Sequence, residues 1–123
     1  MPRTQVVLFR DVDGRVPLLD WLEELPDKAR DKCVVRLRRL AELGHELRRP
    51  EADYLRNGVY ELRVGLHGMN YRMLYFFHGN VAAVVSHGLR KEREVPPAEI
   101  DRVAQRMKQY LASPSRHTAE MAL

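Results

Sequence analysis

Five basic residues fall where short β-rich runs begin or end between positions 54 and 93: Arg63, Arg72, His87, Arg90 and Lys91. Glycine turns separate these runs, so the segment reads as a β-meander that holds cationic groups at fixed spacing. Such groups can grip a phosphate backbone and stabilise the charge that develops at one scissile bond. Metal chemistry has no visible support, because His45, His67, His78, His117 and Cys33 lack zinc or iron spacing. The glycines form no P-loop or dinucleotide fingerprint and read as turn residues. Ser86 beside His87 has no nucleophile elbow or orienting acid. No metal and no cofactor is expected, and RNA is the first substrate to consider.

Arg72 lies in YRMLYFF, a run apolar on both faces, so a guanidinium there needs a reason. It could grip phosphate bidentately and stabilise a pentacoordinate transition state, or pair with Glu61 across the sheet. Arg63, in YELR, can reach the same surface as Arg72 if their strands pair in the right register, which sequence leaves open. His87 ends VAAVVSH, where an imidazole suits proton transfer from a ribose 2′-OH or a simple hydrogen bond at a sheet edge. Arg90 and Lys91 follow at once and could hold the scissile phosphate or the leaving oxygen.

These residues need elements to position them. Gln5 to Phe9 predicts a first strand and DVDG a turn. Pro17 opens a short helix with Leu18, Trp21, Leu22 and Leu25 at helical spacing. After Pro26 a second helix carries the stripe Ala29, Cys33, Leu37, Leu40 and Ala41, with Gly44 as its stop. Its outer face bears Lys28, Lys32, Arg38 and Arg39, read either as a solvated face or as extra phosphate contacts. Residues 45–59 read as a polar connection. Strands are then expected over 60–65, 70–78 and 81–88, with turns near HGMN and HGN. A last helix begins at Pro96 and Pro97, with Ile100, Val103, Ala104, Met107 and Leu111 on its apolar stripe. The order β-α-α-β-β-β-α predicts an α+β domain: a helical hairpin and a C-terminal helix on a small, mostly antiparallel four-stranded sheet. The domain is expected over residues 1–112, and the tail 113–123, which loses all periodicity, is expected to be disordered or ordered only by a partner.

Composition agrees with one domain, since 45% apolar and 31% charged residues are globular proportions. The apolar run VAAVVS is far too short to span a membrane, and no signal peptide is visible, so a cytoplasmic location is expected. Cys33 reads as a small buried hydrophobe. A formal charge of +4 and a pI near 9.5 favour an anionic partner.

The segments LRNGVYELRVGLHGMNYRMLYFF and VVSHGLRKEREVPPAEIDRVAQRMKQY resemble the phage-derived Gp49-like, HigB-type toxins of the RelE superfamily. LLDWLEELPDKARDKCVVRLRRLAELG is similar to their helical hairpin. The pattern L-R-x-G-x-Y-E-L-R, then Y-R-x-L-Y, then H-G-x-x-K carries the likeness, which covers roughly residues 5–111. The resemblance implies a RelE-like fold and the toxin of a type II toxin–antitoxin system. It implies a metal-independent, ribosome-dependent endoribonuclease that cuts mRNA by 2′-OH attack, leaving a 2′,3′-cyclic phosphate. Its partner would be a helix-turn-helix, HigA-like antitoxin. Arg72 then matches the transition-state arginine, Arg63 a phosphate ligand, and His87 and Lys91 the H-G-x-x-K element with Arg90 beside it. The better-studied RelE branch has a lysine-rich strand where this chain has Tyr60 and Glu61. It also has a C-terminal tyrosine where this chain reads Val95, Pro96 and Pro97. His87 is the substitute proton acceptor. Those two departures favour the alternative of a non-catalytic nucleic-acid- or protein-binding module.

Overall fold

The computed structural model describes residues 4–79, 82–90 and 93–123. Strand β1 (Gln5–Phe9) leads into α1 (Pro17–Glu23) and α2 (Asp27–Leu43). The strands β2 (Ala52–Arg56), β3 (Val59–Leu66), β4 (Met69–His78) and β5 (Ala82–Arg90) follow, then α3 (Pro97–Ala112) and β6 (Thr118–Glu120). The sheet runs β2-β3-β4-β5-β1-β6, with every described pairing antiparallel except β1 against β5.

The α+β class expected from sequence is the observed one, but the sheet has six strands where four were expected. Both additional strands lie at edges. β2 falls inside the expected polar connection, and only Ala52 of its residues is buried, so it has no apolar alternation to betray it. Its one signal is Asn57-Gly58, whose φ values of 54° and 81° form the two-residue hairpin turn that favours this dipeptide. β6 falls in the tail expected to be disordered. It pairs Val7, Leu8 and Phe9 with Glu120, Ala119 and Thr118. A contact so distant in sequence has no local pattern. His117 anchors it: its ring stacks on Phe9 at 5.0 Å, and Nδ1–H donates to the Arg10 carbonyl at 2.8 Å.

The helices follow from their periodicity. All five stripe residues of α2 are buried, and Gly44 ends the helix as expected with a φ of 53°. Burial pushes the Cys33 thiol up to about 11, consistent with an inert hydrophobe. Arg30 holds the end of α1 by donating to the carbonyls of Leu22 at 2.9 Å and Leu25 at 3.1 Å. In α3, Ile100 and Val103 are buried, but Leu111 is 57% exposed. Tyr110 replaces it inward, edge-on to Phe76 and His78.

The sheet is covered on both faces. Leu62, Val64, Met73, Tyr75 and Val85 pack under α1 and α2, while Val59, Leu74, Phe76, Val84 and Leu89 pack under α3. β5 is buried on both sides, which explains the unbroken apolar run AAVV. Gly65 and Gly88, which end the expected strands, are passed by the observed ones, since β3 runs on to Leu66 and β5 to Arg90. A side chain at Gly88 would enter the ring of Trp21, so close packing of α1 requires glycine there.

Candidate functional site

Pairing of β3 with β4 sets Arg63 directly opposite Arg72. Residues opposite one another in a sheet share a face, so two guanidiniums stand side by side on the α3 face. Like charges in that arrangement repel unless a counter-charge separates them. Glu61 supplies it. Its side chain is fully buried, and it accepts from Arg63 Nε at 2.6 Å and from Arg72 Nη1 at 3.2 and 3.3 Å. The ion pair with Glu61 that sequence allowed for Arg72 is therefore present, and Arg63 shares it.

Glu61 does not exhaust Arg72. The side chain is 14% exposed, and its Nε is buried with no hydrogen-bond partner among the described residues. A buried unpartnered donor costs about 1–3 kcal/mol, which an anionic oxygen reaching it would recover. Arg63 continues outward through Nη2 to Asp53 at 3.2 Å, and Asp53 also accepts from Arg49 at 2.8 Å. That Arg49 hydrogen bond holds Asp53 below the usual carboxylate range. A cleft of about 450 Å³ near the β3–β4 turn is lined by Arg36, Glu51, Arg63, Gly65, Asn70 and Arg72. Arg36, which sequence did not single out, thus joins the two strand arginines at one opening.

His87 reaches the same face through a bulge. Tyr75 pairs with Val85 but Leu74 pairs with His87, leaving Ser86 as the extra residue. Without the bulge His87 would point toward α1 and α2. Instead it lies in a buried network with α3. Nδ1 accepts from Arg106 at 3.0 Å and lies 2.8 Å from Ser86 Oγ. Arginine can only donate, so the proton sits on Nε2, which faces Glu99 Oε1 at 3.3 Å. Burial first, then the Arg106 charge, lowers the His87 pKa from 6.5 to about 4. Burial also pulls Arg106 below its usual range, against the opposing pull of Asp11. A proton acceptor needs an open lone pair; the His87 lone pair is enclosed and occupied. This differs from the role expected of a strand-end histidine, and the cause is the bulge together with α3.

This network predicts a pH dependence. The folded chain refuses a proton that the unfolded His87 accepts between pH 6.5 and about 4. Stability is therefore full above pH 6.5 and falls as pH drops through that window, by up to about 1.4 kcal/mol per pH unit. Urea unfolding at pH 7.5 and 5 measures it. His87→Gln should flatten the slope, and an unchanged slope would remove His87 as its source.

The other expected site residues are dispersed. Arg90 pairs with Tyr71, so it leaves the face opposite to Arg72; its guanidinium lies 5.7 Å from the Tyr71 ring centre. Lys91 lies outside the described residues. Lys32 and Arg38 are exposed on α2, which also covers the opposite face. The Arg39 side chain is 41% exposed and donates to Glu51 from Nε at 2.9 Å and from Nη2 at 3.1 Å. That grip holds Glu51 below the usual carboxylate range. No group of three or more metal-binding side chains occurs among the described residues. Sequence reasoning did not assign a role to Glu99, Arg106 or Asp53. Their only sequence signal is charge within otherwise apolar or edge elements.

A two-faced α+β sheet thus presents paired arginines from adjacent strands, the site of a basic α+β domain. The chain belongs to the phage-derived Gp49-like protein family (DUF891), whose model matches residues 20–108. This is a family of RelE- and HigB-like toxins. No curated protein matches the chain significantly.

Proposed function

We propose that this protein is the toxin of a type II toxin–antitoxin pair and cleaves mRNA on the ribosome. The observation that carries this reading is the register placing Arg63 opposite Arg72, with a buried carboxylate holding both. Arg63 binds the substrate phosphate, and Arg72 stabilises the negative charge of the pentacoordinate phosphorus. Attack by the ribose 2′-oxygen, whose proton passes to water, forms the O2′–P bond and breaks the P–O5′ bond. The 5′-oxygen leaves with a proton from water and a 2′,3′-cyclic phosphate remains, with no metal involved. Because the His87 lone pair is occupied, charge stabilisation by the arginines supplies most of the rate, and His87 braces β5 against α3. Arg90 and the α2 residues Lys32 and Arg38 face away from Arg72 and contact more distant phosphates of the ribosome. Lys91 remains assigned to the scissile region through the H-G-x-x-K pattern alone.

The reaction takes place in the cytoplasm. No described helix is long and apolar enough to cross a membrane. A helix-turn-helix antitoxin neutralises the protein when both are made together. Mapping mRNA 5′ ends on translating ribosomes tests the proposal. New ends in the presence of the protein, suppressed by the neighbouring gene's product, are expected. Salt-sensitive RNA binding with no new ends would favour the non-catalytic binding module, a reading to which the carboxylate engagement of both arginines lends some weight.

A further inference from the structure

The face opposite Arg72 carries a row of rings that the nuclease site does not use. Register places Tyr54 of β2 opposite Tyr60, and Tyr60 opposite Tyr75. Their ring centres are 4.9 and 5.3 Å apart, and His45 stacks on nearby Phe77 at 3.6 Å. The inner end of this row is core. The outer end is open: Tyr54 is 52% exposed on the edge strand. Its hydroxyl accepts from the Gly58 N–H at 3.0 Å, so the ring is already held in one orientation. A cleft of about 610 Å³ lies against it, lined by His45, Arg48, Arg49, Asp53, Tyr54 and Tyr60.

Arg48 is exposed, and the Arg49 side chain is 73% exposed. A fixed aromatic face beside two accessible guanidiniums offers a nucleotide both things it needs: a stacking surface and phosphate donors. An aliphatic protein side chain would use the ring but neither exposed guanidinium. The cleft is also joined to the nuclease site. Asp53 Oδ2 bridges Arg49 at 2.8 Å and Arg63 at 3.2 Å, so the ion-pair chain Arg49–Asp53–Arg63–Glu61–Arg72 crosses the edge of the sheet.

We infer that this cleft is a base-stacking subsite for single-stranded RNA, with one nucleobase on Tyr54 and its flanking phosphates on Arg48 and Arg49. The inference deepens the nuclease reading and rests on RNA being the substrate. It makes β2 a determinant of where along a strand the scissile bond is set.

A hexameric RNA containing 2-aminopurine tests it at low salt, because stacking on an aromatic ring quenches this base. The full-length protein should quench the probe. Tyr54→Leu should abolish the quench and weaken binding on the order of 10-fold. Tyr54→Phe keeps the ring and should retain both. Absence of quench with the unaltered protein, or equal quench with Tyr54→Leu, would overturn the subsite. Equal loss in Tyr54→Phe would assign the effect to the Gly58 hydrogen bond and also overturn it. Ribosomal mRNA cleavage is scored separately: a protein that quenches but never cuts refutes the nuclease reading and leaves the subsite standing.

Discussion

Arg72→Ala should abolish growth arrest while leaving the protein folded. Removing one preorganised donor from a developing oxyanion typically costs on the order of 10²–10³ in rate, enough to separate arrest from growth. The expected effect is large because Arg72 is 14% exposed and its charge acts where water is partly excluded. Fold retention follows from Glu61. In the variant this carboxylate keeps Arg63 Nε at 2.6 Å, so it is not orphaned in the core. Expression in a host without the antitoxin, followed by mapping of mRNA 5′ ends, reads the loss of activity. Circular dichroism reads the fold. A folded Arg72→Ala protein that still arrests growth would remove Arg72 from the catalytic role.

Glu61→Ala should produce the largest loss of stability of any single change at the site. It leaves two guanidiniums directly opposite one another on adjacent strands, with no charge between them. Breaking a buried ion pair from one side costs about 3–5 kcal/mol. The lower end applies here, because Arg63 is 38% exposed and keeps Asp53 as a second partner. Glu61→Gln can still accept one hydrogen bond and should lose less. Urea unfolding at neutral pH and low salt measures both variants. A Glu61→Ala protein within about 0.5 kcal/mol of the parent would show that the arginines are supported by something else.

The two variants separate contributions that the geometry joins. Arg72 is proposed to act on substrate, whereas Glu61 acts through the arginines it aligns. Loss of activity in Glu61→Gln at a temperature where the protein remains folded would report that alignment. Glu61 had suggested weakened catalysis, because it stands where better-studied relatives carry lysine. Its burial between Arg63 and Arg72 gives it another part, as the group that lets two cations share one face.

Much of this molecule could be read from local sequence. The buried stripe of α2, the proline starts of α1 and α3 and the Gly44 stop follow from helical period and backbone preference. The β3–β4 hairpin was equally legible, since short connections force antiparallel neighbours and His67-Gly68 takes the positive φ values of a tight turn. These features depend on residues within a few positions of one another. Arg63 and Arg72 stood out for the same reason, as charges set in apolar strands.

Tertiary structure decided everything that depends on register or on distant partners. Whether Arg63 and Arg72 share a face turns on a pairing that a one-residue slip would reverse. A single bulge at Ser86 aimed His87 into α3, and alternation along β4 and β5 sent Arg90 to the face opposite Arg72. β2 and β6 exist because other strands offer them hydrogen-bonding edges, not because Ala52–Arg56 or Thr118–Glu120 carry strand periodicity. By itself the sequence determined the helices, the four inner strands and the supply of cations. Only folding determined which cations meet, because that choice rests on contacts between residues far apart in the chain.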